Sequence, residues 1–320
     1  MFNRILAPLD CSPLAECVLP HAIALARIFD AQVALLHVLA HTDPQAQARA
    51  VDVLAWQLRR AEAERYLYDV CTRLQEAGVA CTTHVIDGEV ASQLVDFVGD
   101  NAIDLVLLAS HGQGGPSEWR VGSIAHKVIA RTGAASLMLV RALEPTATDS
   151  ATADSIAVHY RRVLAPLDGS ARAESILPLA TALARMPDTE IVLVHGVERP
   201  AMPRRTPLSR EEIDLVERLV DRNYVEAEHY LETVRTQLPS DAVKTAVLVS
   251  DHVADSLRAL VEQERIDLVI LSAHGYSGQL QWPFGGLVAS FVARGTRPLI
   301  IFQDAPGEQA RAASRREGTR

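Results

Sequence analysis

Short aliphatic runs without polar alternation recur along the chain: "RILAPL" from Arg4, "VALLHV" from Val33, "DLVLLA" from Asp104 and "SLMLV" from Ser136. Unbroken apolar runs of this length are what parallel strands need when both faces of the sheet are covered. Between them apolar residues fall every three or four positions. "PLAECVLPHAIALARIF" from Pro13 reads as a helix with one buried stripe, in which Pro20 either introduces a kink or marks a late start. A longer helix over residues 45–76 places Val53, Leu54, Leu58, Ala61, Leu67, Val70 and Leu74 on one face. "SIAHKVIARTG" from Ser123 is a further helix. Strands and helices thus alternate, which predicts a parallel sheet with helices on both faces.

The pattern occurs twice. "RILAPLDCSPLAECVLPHAIALAR" from Arg4 is echoed by "RVLAPLDGSARAESILPLATALAR" from Arg162, so that Asp10 is matched by Asp168, 158 residues on. "VALLHV" returns as "IVLVHG" from Ile191, and "IDLVLLASHG" ending at Gly112 returns as "IDLVILSAHG" ending at Gly275, the offset having grown to 163. The predicted fold class is therefore α/β, as two tandem open-sheet domains, each a five-stranded parallel sheet. Their expected bounds are 1–142 and 159–304, with a linker rich in Ala, Thr, Ser and Asp at 143–158 and a disordered tail at 305–320. "SREE" from Ser209 looks like a capping box in which Ser209 and Glu212 open the long helix of the second copy.

A chain of 320 residues, 48% hydrophobic, can bury a core in each copy. Its net charge of −9 argues against general affinity for nucleic acid, which is held by clustered Lys and Arg. No apolar run approaches the ~20 residues that cross a bilayer, and "MFNRILAPLD" lacks a signal pattern, so a soluble cytoplasmic protein without membrane contact is expected. Cys11, Cys17, Cys71 and Cys81 form no C-x-x-C pair and read as idle thiols.

In open parallel sheets ligands sit beyond the carboxyl ends of the strands, where strand order reverses. Two loops at such ends stand out: "APLDCS", where Asp10 leaves strand one, and "ASHGQGGPSEWRVGS", which follows strand four from Ala109 to Ser123. Gly112 and Gly122 allow close approach of a ligand, and the free N–H groups at Gly122, Ser123 and Ile124 favour an anion. Ser123 can cap its own helix or donate to a phosphate. His111 and His274 either touch a phosphate or fix the loop, and His37 and His195 read as satisfied at the sheet end rather than as metal ligands. Arg120 reaches a terminal phosphate or stays solvated, while Trp119 and Trp282 are expected to pack. Asp10, Ser12, Ser110 and His111 lack the G-x-S-x-G context of a hydrolase triad, and no Walker lysine follows Gly122. No catalytic residue or metal ligand is assigned on this reading.

Together these residues resemble the universal stress protein family, in a tandem form, from Phe2 to Asp304. The family motif G-x-x-G-x9-G-[S/T] is matched from Ala109 through Gly112 to Gly122 and Ser123, and again from Ser272 through Gly275 to Gly285 and Gly286. The resemblance implies an adenine-nucleotide alpha-hydrolase-like fold holding ATP, or ADP or AMP, with Mg2+ accompanying the nucleotide. Pro8, Leu9, Asp10 and Val38 would hold the adenine, and Ala109, Gly112, Gly122, Ser123 and Ile124 the ribose and phosphates. The second copy offers Pro166, Leu167, Asp168, Gly196, Ser272, Gly275, Gly285, Gly286 and Leu287. It has lost the motif hydroxyl to Gly286, and at the 163 offset it sets Asp251 where the first copy has Gly88, so it is expected to be degenerate. The expected function is a nucleotide-responsive stress or signalling module with a protein partner, and with weak ATP hydrolysis at most. The alternatives are a slow ATPase or nucleotide-dependent transferase, or a nucleotide-free structural stress protein. Pairing of the final strands, near Leu137 and Leu299, into an intramolecular pseudo-dimer and beyond it a homodimer is also implied.

Overall fold

The computed structural model describes residues 1–40, 53–111, 122–131, 135–141, 158–200, 209–238, 242–275 and 284–303. The chain divides into two units, one built mainly from Met1–His159 and the other from Tyr160–Leu280 with Phe284–Asp304. The expected tail, and the linker apart from Val158, lie outside the described residues. No helix among the described residues is long and apolar enough to cross a membrane.

In the first unit the strands are β1 (Arg4–Pro8), β2 (Gln32–Ala40), β3 (Cys81–Gly88), β4 (Leu105–Ala109) and β5 (Ser136–Val140). They pair in parallel in the order β3-β2-β1-β4-β5. The second unit repeats this with β6 (Arg162–Pro166), β7 (Glu190–Glu198), β8 (Val243–Ser250), β9 (Leu268–Ser272) and β10 (Leu299–Phe302), ordered β8-β7-β6-β9-β10. Successive residues of a strand face opposite sides of its sheet. Ile5, Leu6 and Ala7 are consecutive and all wholly buried, so both faces of β1 are covered, and this is why its run carries no polar alternation.

The helices of the first unit are α1 (Leu19–Phe29), α2 (Val53–Glu76), α3 (Val90–Asp100) and α4 (Ser123–Arg131). Those of the second are α5 (Ala171–Glu174), α6 (Leu177–Ala184), α7 (Arg210–Gln237), α8 (Val253–Gln263) and α9 (Gly286–Arg294). Pro20 introduces no kink: a 3-10 turn at Ala15–Val18 precedes α1, and the proline occupies the first helical turn, where no N–H is needed. The expected seam of the long helix is corrected at its amino end. Leu67, Val70 and Leu74 are buried, but Val53, Leu54, Leu58 and Ala61 are exposed, and the buried stripe begins at Ala63. At ~1.5 Å per residue α2 runs about 36 Å, against roughly 26 Å for the eight residues of β3 beneath it, so its first turns overrun the strand. Ser209 and Glu212 do form the expected box: the Ser209 hydroxyl accepts from the Glu212 N–H at 3.3 Å, and Glu212 accepts from the Ser209 N–H at 2.9 Å.

The duplicated "IDL" is a clamp at the amino edge of each sheet. Asp104 Oδ2 accepts from the N–H groups of Asn3 (2.7 Å) and Arg4 (3.0 Å), and Asp267 Oδ2 from those of Arg161 (2.8 Å) and Arg162 (2.9 Å). Backbone strain is duplicated as well. Positive φ recurs at Asp30 and Asp188, at Ala102 and Arg265, and at Cys11 (62°) and Gly169 (80°). A Cβ on Gly169 would meet nothing within 4 Å, so a side chain there costs only the backbone conformation. Gly169→Ala is expected to destabilise the protein by about 1 kcal/mol in urea unfolding, and an unchanged midpoint would contradict this.

Candidate functional site

The chain passes from β1 to β2 and β3 on one side, then crosses to β4 on the other side of β1. The carboxyl ends of β1 and β4 therefore flank a switch point, and those of β6 and β9 flank its copy. Each strand-one exit is built the same way. The Leu9 N–H donates to the Leu36 carbonyl at 2.9 Å, and the Leu167 N–H to Val194 at 2.8 Å, which fixes the residue before each aspartate. Asp10 Oδ1 then accepts from the Ser12 N–H (3.0 Å) and hydroxyl (2.5 Å), while the Ser12 oxygen accepts from the Ala15 N–H at 3.2 Å. Asp168, Ser170 and Ala173 repeat this at 3.0, 2.6 and 3.1 Å. Ser12 and Ser170 thus anchor their turns.

The strand-four exits are also duplicated. The Gly122 N–H donates to the Ser110 carbonyl at 2.8 Å, and the Gly285 N–H to Ala273 at 2.9 Å. Each bond ties the far end of the glycine-rich loop back to its start. It sets Ser123 and Ile124, both exposed, and in the copy Gly286 and Leu287, at a helix amino end on the carboxyl edge of the sheet. The two exits touch in the second unit: a Cβ on Gly275 would stand 2.3 Å from Asp168 Oδ2, so only glycine lets the carboxylate lie against the backbone there. Gly112, Trp119, Arg120 and Trp282 lie outside the described residues.

Pro8 and Pro166 end β1 and β6, and Ala109 and Ser272 end β4 and β9. The Ser272 hydroxyl is buried without a hydrogen-bond partner among the described residues, and so is His111 Nε2, while the Ser110 hydroxyl lies 3.0 Å from His111 Nδ1. A buried ring nitrogen without a partner, at a strand exit, is a place for a ligand atom. His37 is satisfied, as expected: its Nδ1 lies 2.7 Å from the Leu9 carbonyl, which only accepts, so Nδ1 carries the proton. The Cys11 thiol, 3.5 Å from the same nitrogen, is pushed up to about 11 by burial and by Asp10, Glu16 and Glu62, which keeps it protonated and unreactive. His195 departs from the expectation that His37 meets, since its Nδ1 is buried without a hydrogen-bond partner among the described residues, and burial holds its imidazole below the ordinary range, against the pull of Asp168. Its ring meets Tyr230 edge-on at 5.9 Å.

The copies differ behind the strand-two exit. Val38 is buried on β2, whereas a Cβ on its counterpart Gly196 would meet Val253 Cγ1 at 2.3 Å, so the first residue of α8 fills that space. The expected exchange of Gly88 for Asp251 is corrected. Gly88 pairs with Ala40 and Ser250 pairs with Glu198, the counterpart of Ala40, so Ser250 takes the place of Gly88, and the exposed Asp251 is not there. The offset is 162 along the third strand and returns to 163 in the following helix, a one-residue slip absorbed by the turn. Sequence reasoning also missed a brace behind the site. The Tyr66 hydroxyl donates to Glu16 at 3.0 Å, as Tyr230 does to Glu174, and Arg73 joins Glu16 at 2.8 Å. Its signals were the repeat of Ser12 and Glu16 as Ser170 and Glu174 and that of Tyr66-Leu67 as Tyr230-Leu231.

The model of the universal stress protein family matches residues 1–141 and again residues 159–303. The chain belongs to the universal stress protein family. Universal stress protein MJ0531 of Methanocaldococcus jannaschii is 28% identical over 131 residues, covering 40% of this chain and 76% of that protein. Universal stress protein YxiE of Bacillus subtilis is 25% identical over 137 residues, covering 40% and 92%. The fold is shared with the crystal structure of a universal stress protein from Archaeoglobus fulgidus, at TM-score 0.65 and 16% identity, over 95% of this chain and all of that one. The duplicated strand exits are thus features of two universal stress protein units in one chain.

Proposed function

We propose that the first unit binds an adenine nucleotide, ATP or its ADP or AMP, across the exits of β1 and β4, and that occupancy sets the affinity for a protein partner in stress signalling. The observation that carries the reading is the duplicated closure of the strand-four loop. It holds the amino end of α4 at the exit of β4, the strand that neighbours β1, and this supports a site shared with the Asp10 turn. On this reading Asp10 reads the adenine edge, with Pro8, Leu9 and Val38 lining it. Ala109, Gly112, Gly122, Ser123 and Ile124 serve the ribose and phosphates, the last three through the helix end. The residues fit such a ligand, since the partnerless His111 Nε2 and the solvent-facing Ser123 can both meet a phosphoryl oxygen. Among the described residues no group of three His, Cys, Asp or Glu could hold a metal, so Mg2+ would arrive on the phosphates. The second site is the weaker, because Gly286 offers no hydroxyl and Val253 occupies the space beside Gly196. Binding rather than turnover follows from the lack of a lysine after Gly122 to stabilise charge on a transferring phosphoryl group.

Calorimetric titration of the full chain with ATP tests this. The expected result is one tight site per chain, weakened by Ser123→Ala, and a protein stabilised by about 2.7 kcal/mol at a hundredfold excess over Kd. Absence of both the heat and the stabilisation would overturn the reading.

A further inference from the structure

The second unit carries a charged cavity whose charged residues, apart from Arg294 with its counterpart Arg131, the first unit does not share. It lies between α8 and α9, holds about 300 Å3, and is walled by Phe291 and lined by Arg258, Arg294, Arg297, Asp255 and Glu262. Two of the arginines are already engaged. Arg258 reaches Asp255 at 2.5 Å and also the Ser290 hydroxyl, and Arg297 reaches Glu262 at 3.2 Å, whose carboxylate also accepts from Thr296. The lining is left with one positive charge in excess, on Arg294, which has no ion-pair partner among the described residues. Arg297 Nε is buried and has no hydrogen-bond acceptor among them either.

The duplication is an internal control. α3 and α8 are both eleven residues long, and at the positions of Asp255, Arg258 and Glu262 the first unit has Ser92, Val95 and Gly99. The same fold therefore stands without these charges. α9 ends at Arg294, so its dipole opposes an anion at this point, and the guanidiniums must outweigh it. Guanidinium forks match planar carboxylates and phosphoryl groups, and the buried Phe291 ring supplies an apolar surface beside them. A polyanion would also meet Asp255 and Glu262, which disfavours a nucleoside triphosphate here.

We propose that this cavity binds a small organic anion, a carboxylate or phosphate monoester, with its oxyanion on the guanidiniums of Arg294 and Arg297 and its apolar body against Phe291. Benzoate and phenyl phosphate are the probes, titrated separately into the full chain by ligand-observed NMR, with inorganic phosphate beside them. At least one probe is expected to bind saturably, and which one does so identifies the oxyanion. Its affinity should fall about tenfold in Arg294→Gln and in Arg297→Gln, and be unchanged in Arg131→Gln of the first unit and under saturating ATP. Arg294 is exposed, so its replacement leaves the core intact. The assignment is overturned if neither probe saturates, if both arginine variants bind as the wild type does, if ATP displaces the probe, or if inorganic phosphate binds as tightly as phenyl phosphate.

Discussion

Asp10→Ala is expected to weaken ATP binding about 100-fold, whereas Asp168→Ala leaves the tight site unchanged. Two losses combine in the first variant. A carboxylate accepting from the adenine amino group is a charge-assisted hydrogen bond worth about 1.5–3 kcal/mol. The same side chain also holds the turn, through the Ser12 N–H and hydroxyl at 3.0 and 2.5 Å. Ser12→Ala separates the two, since it removes the anchor and the cap on the Ala15 N–H but keeps the carboxylate, and its expected cost is under about tenfold. Guanine presents an acceptor where adenine has its amino group, so the wild type should favour ATP over GTP, and Asp10→Ala should lose that preference. Titration of the four proteins with both nucleotides decides the matter: if Asp10→Ala still discriminates, the base is read elsewhere.

Some of this was legible in the sequence for definite reasons. Strands covered on both faces cannot alternate, so "RILAPL" and "DLVLLA" announced themselves, and the duplication singled out Asp10 with Asp168 and Gly122 with Gly285. Periodicity, however, does not show where the supporting sheet ends, and this is why Val53, Leu54 and Leu58 fit the helical stripe yet stand exposed. Repeat offsets drift in turns, which put Asp251 in the place that Ser250 occupies. The brace between Tyr66 and Glu16 joins residues 50 apart in the chain, and the Arg297 pair with Glu262 residues 35 apart. Pairs this distant leave no local pattern to read, and so the second unit's cavity was invisible while its fold was not.

His21→Leu is expected to make the protein more acid-resistant, by about 3 kcal/mol at pH 4, while changing stability at pH 8 by less than about 1 kcal/mol. His21 follows Pro20 in the first turn of α1 and is 7% exposed, and burial pushes its imidazole down to about 4 from an ordinary 6.5. The matching position in α6 is Leu179, wholly buried, so the fold accepts leucine there. Above pH 6.5 neither the folded nor the unfolded chain protonates this ring, and it adds no pH dependence. Between 6.5 and 4 the unfolded chain holds a proton that the native chain refuses, so stability falls by about 1.4 kcal/mol per pH unit as pH drops. Below 4 both states are protonated, and the loss stops growing. Carboxylates titrate in the lower part of the same window, so the quantity to measure is the difference between wild type and variant, from urea unfolding at pH 8, 6, 5 and 4. A difference that widens from pH 6 to pH 4 identifies His21 as an acid-labile element of the first unit that the second, with Leu179, lacks. A constant difference would mean that the native chain protonates His21 as readily as the unfolded chain does.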